Sequence, residues 1–435
     1  MNPRRQIRTG NRYRGAHLSN FTRGCLHLFG HNPLSAYSQP GSVTPQEPGA
    51  ALFLALVAIT LVGPLSIHLF LPAVPHVRAA FAVDTSIAQL AFSLSMIGMA
   101  AGTLVYGSLS DRFGRLPVLI LGIGLFAVGA ALAAAAPSVS VLILGRVLQG
   151  IGAASGMVLA RAIAHDVYGA DRLGQMIAYL TAAYVVGPMF APPIGGLLTD
   201  ALSWQSVQIV PAAFGILGII VAVMIIGETG KPDPDQAIGM IRSYCALIGD
   251  PKFTLFALCP AFGTGAFFSL IAGSTHLMSD TLDRSATEYG LYFMLGPVGY
   301  MLGNYLSGWL SGRVTANTLV VYGSLMSVLA ALTMSGLIAY LGLLPIILFG
   351  GCAVLTLGQG LVMPQAQAAA IATDPTLAGT ASGVVVFLQF LFGALLGQLV
   401  IVGEDGTGTS LCSFVLISSV LSFACGVAAT ALVNR

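Results

Sequence analysis

Hydrophobic residues in this chain form twelve long runs that are separated by short polar segments. Each run is about as long as the 20 or so apolar residues that an α-helix needs to cross a bilayer, and it carries few or no charges. The pattern predicts an all-α polytopic membrane protein with twelve transmembrane helices. The runs lie at 51–74, 86–106, 116–136, 139–163, 174–198, 206–227, 253–275, 288–311, 318–340, 343–364, 377–402 and 410–432.

Composition supports the same class. Of the 435 residues, 56% are hydrophobic and only 8% are charged, whereas a soluble domain carries about 25% charged residues. The six cysteines show neither paired nor metal-ligand spacing, so we expect no disulfide and no metal site.

Basic residues indicate the orientation in the membrane. If the N-terminus is cytoplasmic, the loops on the far side hold only two of the Lys and Arg residues, Arg78 and Arg284. This positive-inside asymmetry predicts that both termini are cytoplasmic.

The polar segments divide the chain into regions. Residues 1–50 are basic and rich in Gly, Ser and Pro, which predicts a disordered cytoplasmic tail; a transit peptide or a start codon assigned too early are the alternatives. The longest internal polar segment, 228–252, predicts a cytoplasmic central loop between a six-helix bundle at 51–227 and another at 253–435.

A repeat relates the two bundles. The second run ends with GSLSDR at 107–112, and the eighth run ends with GWLSGR at 308–313. Such internal repeats are typical of duplicated transporters. The chain has no phosphate-binding P-loop, which argues against an ATP-driven pump. No nucleophile, base or metal cluster lies within the runs, so we expect no enzyme.

The loop after the second run reads GSLSDRFGR at 107–115. We expect Gly107 and Gly114 to permit a close backbone approach and a tight reversal. Asp111 is expected to lie against the positive N-terminal end of a helix, and Arg112 and Arg115 to meet carboxylates or helix C-termini. Such contacts could latch the two halves together; an ordinary positive-inside loop is the alternative.

Two further stretches carry unusual residues inside the apolar runs. Arg146, in the fourth run, lies about 12 Å from Pro137 at the outer end, where an arginine costs at least ~2.5 kcal/mol. It must therefore face the bundle interior or a wet cavity, unless backbone carbonyls and Gln149 satisfy it as a structural residue.

The fifth run contains GPMFAPPIGG at 187–196, whose glycines and prolines permit close packing and a bend; a plain proline kink is the alternative.

These stretches resemble the major facilitator superfamily. The segment 107–115 resembles its signature loop G-x-L-x-D-R-x-G-R, 146–150 resembles its R-x-x-Q-G motif, and 187–196 resembles the G-P…G-G pattern of its proton-coupled exporters. The stretches 160–168 and 364–383 are similar to the Bcr/CflA branch of drug:proton antiporters, which exports bicyclomycin, chloramphenicol-type and related compounds. The resemblance implies two six-helix halves that rock about a central cavity, in a bacterial inner membrane.

The resemblance also implies roles for residues. Proton coupling is expected at His68, Arg146 and Gln149, and the antiporter helix at Gly187, Pro188, Gly195 and Gly196. The inner gate is expected to comprise Gly107, Asp111, Arg112, Gly114, Arg115, Arg161, Asp166 and Arg313. Candidate substrate-cavity residues are Phe70, Tyr184, Phe267, Phe268, Tyr292 and Gln389, although each is also a plausible packing residue.

His68 departs from the family pattern. The branch usually carries an acid in a segment like S-x-D-x-Y-L-P, whereas this chain reads SIHLFLP at 66–72, and no Asp or Glu lies deep within any run. A carboxylate loses its charge on protonation and can exchange that proton for a cationic drug, whereas an imidazole gains a charge. Neutral or weakly anionic substrates are therefore expected, unless His68 is only a packing residue.

The expected function is secondary active export of small apolar or neutral compounds such as drugs and antibiotics, by proton antiport with alternating access. The proton gradient would serve as the coupling ion, with no other cofactor. The partners would be a small-molecule substrate and the bilayer, without nucleic acid, and the protein would be a monomer. The alternatives are a proton-independent facilitator or metabolite exporter of the same fold, and a non-transporting sensor or decayed paralogue.

Overall fold

The computed structural model describes residues 50–230, 240–374, 377–404 and 406–433. Helices make up almost all of this part of the chain, and no strand occurs in it. The predicted tail lies outside the described residues apart from Ala50. The helices are α1 (Ala50–Phe70), α2 (Val74–Phe81), α3 (Thr85–Phe113), α4 (Arg115–Ala134), α5 (Val139–Ala201), α6 (Ser206–Ile225), α7 (Met240–Gly249), α8 (Pro251–His276), α9 (Ala286–Phe293), α10 (Leu295–Leu310), α11 (Ala316–Leu341), α12 (Pro345–Ala372), α13 (Ala378–Val402) and α14 (Thr409–Val433).

Eleven helical stretches within the described residues are long and apolar enough to cross a membrane. The eighth predicted span is divided at Met294 into α9 and α10. Pro297 lacks an N–H and so cannot donate to the carbonyl of Phe293 one turn earlier, which weakens the helix at this point. Together α9 and α10 form the eighth span along the chain, which brings the number of spans to twelve. The predicted all-α fold is therefore confirmed.

The fourth and fifth spans are two arms of one long helical element. Gly169 separates the arms of α5 with a positive φ of 68°, a conformation that only glycine adopts at little cost. The first span also extends further than predicted, because a 3₁₀ turn at Leu71–Ala73 leads directly into α2. The predicted central loop contains a helix, α7, and its residues 231–239 lie outside the described part.

Helical structure follows from the apolar sequence, because a bilayer offers no partner for an unpaired backbone group. Close packing then relies on glycine. A Cβ on Gly150 of α5 would lie 2.0 Å from the Ser95 carbonyl oxygen of α3, and a Cβ on Gly299 of α10 would lie 2.0 Å from the Ala353 carbonyl oxygen of α12. A hydrogen atom fits in both places and a methyl group does not, so these helix pairs approach backbone to backbone.

The two ends of the bundle differ in charge. We call the end that carries Arg112, Arg115 and Arg313 the basic end, and the end that carries Arg78 and Arg284 the opposite end. At the opposite end Arg78 of α2 forms an ion pair with Asp280, which follows α8. This pair joins the first half of the chain to the second.

A second contact closes the same end. The Asp200 carboxylate of α5 accepts hydrogen bonds from the backbone N–H and the hydroxyl of Thr287 in α9, at 2.8 and 2.6 Å. A Cβ on Gly196 would lie 2.3 Å from the Ala286 carbonyl oxygen, so α5 and α9 touch there without intervening side chains. The halves are therefore joined at the opposite end.

Candidate functional site

His68 lies at the interface between the two halves. Its side chain belongs to α1 and is only 5% exposed. The imidazole stacks on Phe268 with ring centroids 6.1 Å apart and lies 5.7 Å from the ring of Phe293; both phenylalanines belong to the second half. Nδ1 has no hydrogen-bond partner. A titratable ring with a free nitrogen is thus enclosed by aromatic carbon from the other half.

Arg146 is fully buried beside the same stretch of α1. Its guanidinium donates to the Ser66 carbonyl oxygen at 3.1 Å, to the Ala91 carbonyl oxygen at 3.3 Å and to the side-chain oxygen of Gln149. The guanidinium carbon also lies 4.4 Å from the centre of the Phe70 ring, within the range of a cation–π interaction. Carbonyls and Gln149 therefore hold the arginine, as the structural alternative anticipated, although one terminal nitrogen still lacks a partner.

Arg146 and His68 are linked through the backbone of α1. Ser66, which accepts from Arg146, stands two residues before His68, and Phe70 stands two residues after it. No carboxylate in the described residues lies within ion-pair distance of Arg146, since its recorded partners are carbonyl, hydroxyl and amide oxygens. The positive charge of Arg146, on α5, is thus held against the His68 segment of α1 by the Ser66 carbonyl, without a neutralising acid.

The fifth-span glycines position this part of α1. A Cβ on Gly195 would lie 2.1 Å from the Leu69 carbonyl oxygen, and a Cβ on Gly187 would lie 2.7 Å from the Cβ of Pro64. Gly196 lies against α9 and not against α1. Pro188 follows Gly187 within the continuous helix. The predicted antiporter helix therefore contacts α1 on either side of His68 along the chain.

The charged loop at the basic end forms a compact cluster within the first half. Arg115 donates to Asp111 and, through Nε at 3.0 Å, to Asp166. We expected Asp111 to lie against the N-terminal end of a helix, but Glu228 occupies that position at the start of α4. Its carboxylate accepts hydrogen bonds from the backbone N–H groups of Arg115 and Leu116 at 2.8 and 3.1 Å. Glu228 thereby neutralises the positive end of α4. Sequence reasoning missed Glu228, which stands right after the sixth span.

Arg112 and Arg313 contact aromatic rings outside this cluster, whereas Gly114 lies against the Glu228 carboxylate, whose Oε2 is 2.6 Å from where a Cβ would stand. Arg112 is exposed and covers the Phe113 ring, and Arg313 covers the Trp309 ring with its guanidinium 4.2 Å from the ring centre. Gly114 adopts a φ of 95°, which requires glycine, whereas a Cβ on Gly107 would meet nothing within 4 Å. The close approach expected at Gly107 is therefore absent.

Arg161 also lies apart from the Arg115 cluster. Its side chain lies within electrostatic range of Tyr184, on the second arm of α5. The Nε of Arg161 is enclosed without a hydrogen-bond partner. The predicted gate residue Arg161 and the predicted cavity residue Tyr184 are thus neighbours.

The remaining aromatic candidates, Phe267 and Tyr292, belong to a group of contacting rings that includes the two phenylalanines against His68. Phe267 contacts both Phe268 and Phe293, and Tyr292 stacks on Phe349 with ring centroids 5.8 Å apart. Gln389 of α13 has an amide nitrogen without a partner. Sequence reasoning missed Phe293, Tyr289 and Phe349; the spacing of Tyr289 and Phe293, one helical turn apart, was the available signal.

Comparisons with known proteins place the chain among transporters. The sequence profile of the Major Facilitator Superfamily matches residues 54–397. The chain is 24% identical to a bicyclomycin resistance protein homolog of Haemophilus influenzae and 27% identical to multidrug resistance protein D of Escherichia coli; each alignment covers 80% of this chain and 88% of the relative.

Solved structures show the same fold. The chain superposes on a peptide transporter POT with a TM-score of 0.70 at 16% identity, over 88% of this chain and 94% of that one. It superposes on the xylose transporter XylE of E. coli with a TM-score of 0.68 at 12% identity, over 86% and 95% of the two chains.

Proposed function

Because the chain belongs to the Major Facilitator Superfamily, we propose that this integral membrane transporter exports small apolar or neutral drug-like compounds in exchange for protons. Its family and relatives are those of transporters and not of enzymes. The drug-resistance names of its relatives support export, and the chain would work as a monomer with both termini in the cytoplasm. A small-molecule substrate and the lipid bilayer are its partners.

One observation carries the proposal: the enclosure of His68 between the two halves. The rings of Phe268 and Phe293 cover it from the second half, so rocking of the halves would expose or cover the imidazole. A proton could then bind His68 from one side of the membrane and leave to the other. Intramembrane ionisable residues are functional by default, and Arg146 supplies a fixed charge that disfavours a second cation nearby.

Alternating access is supported by the contacts between the halves. The ion pair of Arg78 with Asp280 and the hydrogen bonds of Asp200 to Thr287 join the halves at the opposite end, whereas the charge cluster of Arg115 joins elements of the first half only. In this arrangement the transport path would open towards the basic end. Breaking the opposite-end contacts would release the substrate on the other side.

Reconstitution of the full chain into proteoliposomes tests proton coupling. With an imposed proton gradient, we expect gradient-driven movement of chloramphenicol-type compounds, and we expect His68→Ala to abolish the gradient-driven part because the titratable group is lost. His76→Ala is the matched control, since His76 is an exposed histidine on α2. Equal transport with and without the gradient in the wild-type protein would contradict proton antiport.

A proton-independent exporter of the same fold is the second candidate. The absence of an Asp or Glu deep in any membrane span of the described residues favours it, because drug:proton exchange is most simply built on a carboxylate that loses its charge on protonation. For this candidate, transport would follow the substrate's own gradient and would be unaffected by His68→Ala.

A further inference from the structure

His276 is a buried histidine at the opposite end of the bundle, and the proposed coupling at His68 does not involve it. It ends α8 and is only 4% exposed. Neither of its ring nitrogens has a hydrogen-bond partner among the described residues. An imidazole carries at least one N–H donor, and a buried polar group without a partner is costly. An unpaired titratable ring in this place is a candidate for reversible proton binding.

The acid of the ion pair between the halves stands one helical turn after His276. Asp280 follows His276 by four residues, a spacing that places two side chains on the same face of a helix. Asp280 pairs with Arg78 of α2, and both charged groups lie within electrostatic range of His276. The histidine is thus the neighbour of an acid in its own half that is bound to a base of the other half.

Other titratable groups near this end of α8 are neutral or have partners of their own. The Tyr289 hydroxyl of α9 donates to the Ile271 carbonyl oxygen at 3.1 Å, and Arg284 pairs with Glu288. The remaining titratable side chains on the surrounding elements and loops are His76 of α2, Cys352 of α12, Cys412 of α14, Asp283 and Glu404. Asp280 is therefore the acid that a protonated His276 would take.

The backbone that carries Asp280 is irregular. Leu277–Thr281 form a π turn, in which the N–H of Leu282 donates to the Leu277 carbonyl oxygen at 2.9 Å. Asp283 then adopts a positive φ of 50°, which is uncommon for a residue other than glycine. π turns frequently lie at functional sites. A wide turn of this kind favours a change of partner by Asp280 that leaves α8 in place.

A small cavity brings water to this region. Its volume is about 20 Å³, which is enough for one water molecule. Both halves line it, with His76 from the first and Thr275 and Ser279 from the second among the lining residues. Thr275 directly precedes His276, and Ser279 directly precedes Asp280. A proton from the medium at the opposite end can therefore reach the neighbourhood of the histidine through water.

We propose that His276 is a proton-binding site that controls the opening of the opposite end. The neutral ring leaves Asp280 to Arg78, and this pair joins the halves. A proton taken up from water turns the ring into an imidazolium, which competes for the single carboxylate of Asp280 and repels the guanidinium of Arg78. Because His276 and Asp280 belong to the same half, their pairing releases Arg78. Acid at the opposite end therefore favours the state in which that end is open.

The inference rests on the proposed function only in taking the two ends of the bundle to open in turn. It gives His68 no part in the response to pH at the opposite end, so proton coupling at His68 and proton binding at His276 are separate properties. Protonation of His276 acts through the pair of Arg78 with Asp280, so its effect should be about as large as that of losing this pair.

Distances across the opposite end test the proposal in the full-length protein in nanodiscs. Spin labels at Ala80 and Thr281, in a background without native cysteines, report the ratio of open to closed molecules. Between pH 7.5 and pH 5.0, on either side of the value of about 6.5 at which an unperturbed histidine titrates, we expect this ratio to rise about two- to fivefold, as for loss of an exposed ion pair. An unchanged ratio in the wild-type protein would overturn the proposal.

Variants assign the response to His276. In His276→Gln, which cannot take up a proton, the ratio should not depend on pH. His276→Lys places a permanent cation one turn before Asp280, so its ratio at pH 7.5 should match that of the wild type at pH 5.0. Arg78→Gln should have a raised ratio at both pH values, because the contact for which His276 competes is absent. A full response to pH in His276→Gln or in Arg78→Gln would overturn the assignment.

His76→Gln is the matched control. His76 stands 200 residues before His276, close to the spacing of the repeat between the halves, and its side chain is exposed. This variant should keep the response to pH, and loss of the response would overturn the assignment to His276. The thermal unfolding midpoint of each variant shows whether it is folded, and the response in Arg78→Gln decides the matter if His276→Lys is not.

His68→Ala separates this inference from proton antiport. The response of the distances to pH should persist in this variant and in the absence of any substrate, even where gradient-driven transport is lost. A wild-type protein whose transport ignores the proton gradient, but whose distances respond to pH through His276, would refute antiport and sustain the inference. A response that is lost in His68→Ala and kept in His276→Gln would assign the proton to His68 and overturn the inference.

Discussion

At the residue scale, His68 and Arg146 lie against the same stretch of α1 but are held by different contacts. Arg146 is held by carbonyl, hydroxyl and amide oxygens and by the Phe70 ring, so its charge is fixed in place. His68 contacts aromatic rings of the opposite half and keeps Nδ1 free. A fixed cation beside a titratable imidazole is the reverse of the carboxylate expected at this position from the family pattern.

The corresponding prediction concerns the charge of the side chain at position 68. His68→Asp introduces a carboxylate where a proton removes charge, so we expect preference for tetraphenylphosphonium over an uncharged compound to rise by about tenfold. Competition binding to the purified protein measures the change. His68→Asn is the control, since it is polar but carries no charge at any pH; a similar gain in that variant would show that polarity and not charge is responsible.

At the element scale, the second arm of α5 acts as the support for α1. Gly195 brings α5 against the Leu69 carbonyl, and Gly187 brings it against Pro64, so the pattern 187–196 is explained by backbone contact around the His68 segment. The same arm carries Gly196 and Asp200, which meet α9 of the second half. One helix arm therefore connects the candidate coupling residue to the closed end of the bundle.

The contact of Gly195 with α1 predicts that alanine at this position lowers stability, whereas alanine at a glycine without close neighbours does not. Gly195→Ala would place a Cβ 2.1 Å from the Leu69 carbonyl oxygen, which should destabilise the protein by about 1–3 kcal/mol and reduce transport by displacing α1. Gly124→Ala, on α4, meets nothing within 4 Å and should be neutral or stabilising by up to about 1 kcal/mol. Thermal unfolding in detergent compares the two, and equal midpoints would contradict the packing role of Gly195.

At the scale of the whole molecule, the ion pairs are unevenly distributed between the two ends. Ion pairing and side-chain hydrogen bonds at the opposite end cross from one half to the other, whereas the charged cluster at the basic end stays within the first half. Rocking of the halves must therefore break Arg78–Asp280 and Asp200–Thr287 in order to open the opposite end. These contacts set part of the balance between the two open states.

Loss of the ion pair should shift that balance only modestly. Both side chains of the pair are about 40% exposed, 39% for Arg78 and 42% for Asp280, and exposed pairs contribute about 0.2–1 kcal/mol, so Arg78→Gln should raise the ratio of open to closed opposite end by at most about fivefold. Spin labels at Ala80 and Thr281, in a background without native cysteines, report the distance across this end.

Two variants control this measurement. Arg284→Gln removes an ion pair within the second half, with Glu288, and should leave the distance distribution unchanged. The exchange Arg78→Asp with Asp280→Arg should restore the closed distance, because the attraction is preserved. A distribution in Arg78→Gln that matches the wild type would show that the hydrogen bonds of Asp200 with Thr287 and of Gln398 with the Ser86 carbonyl hold this end without the ion pair.

The sequence alone determined the membrane class, the twelve spans, the family and the unusual position of His68, because lipid demands long apolar helices and each motif is local in the chain. Only the tertiary structure showed that Glu228 and not Asp111 caps α4, and that Phe268 and Phe293 cover His68. These pairings join residues far apart in the chain, and apolar helices carry little information in their sequence about which neighbour each face will meet. Side-chain partners across the two halves are fixed by packing geometry, which a single sequence does not contain.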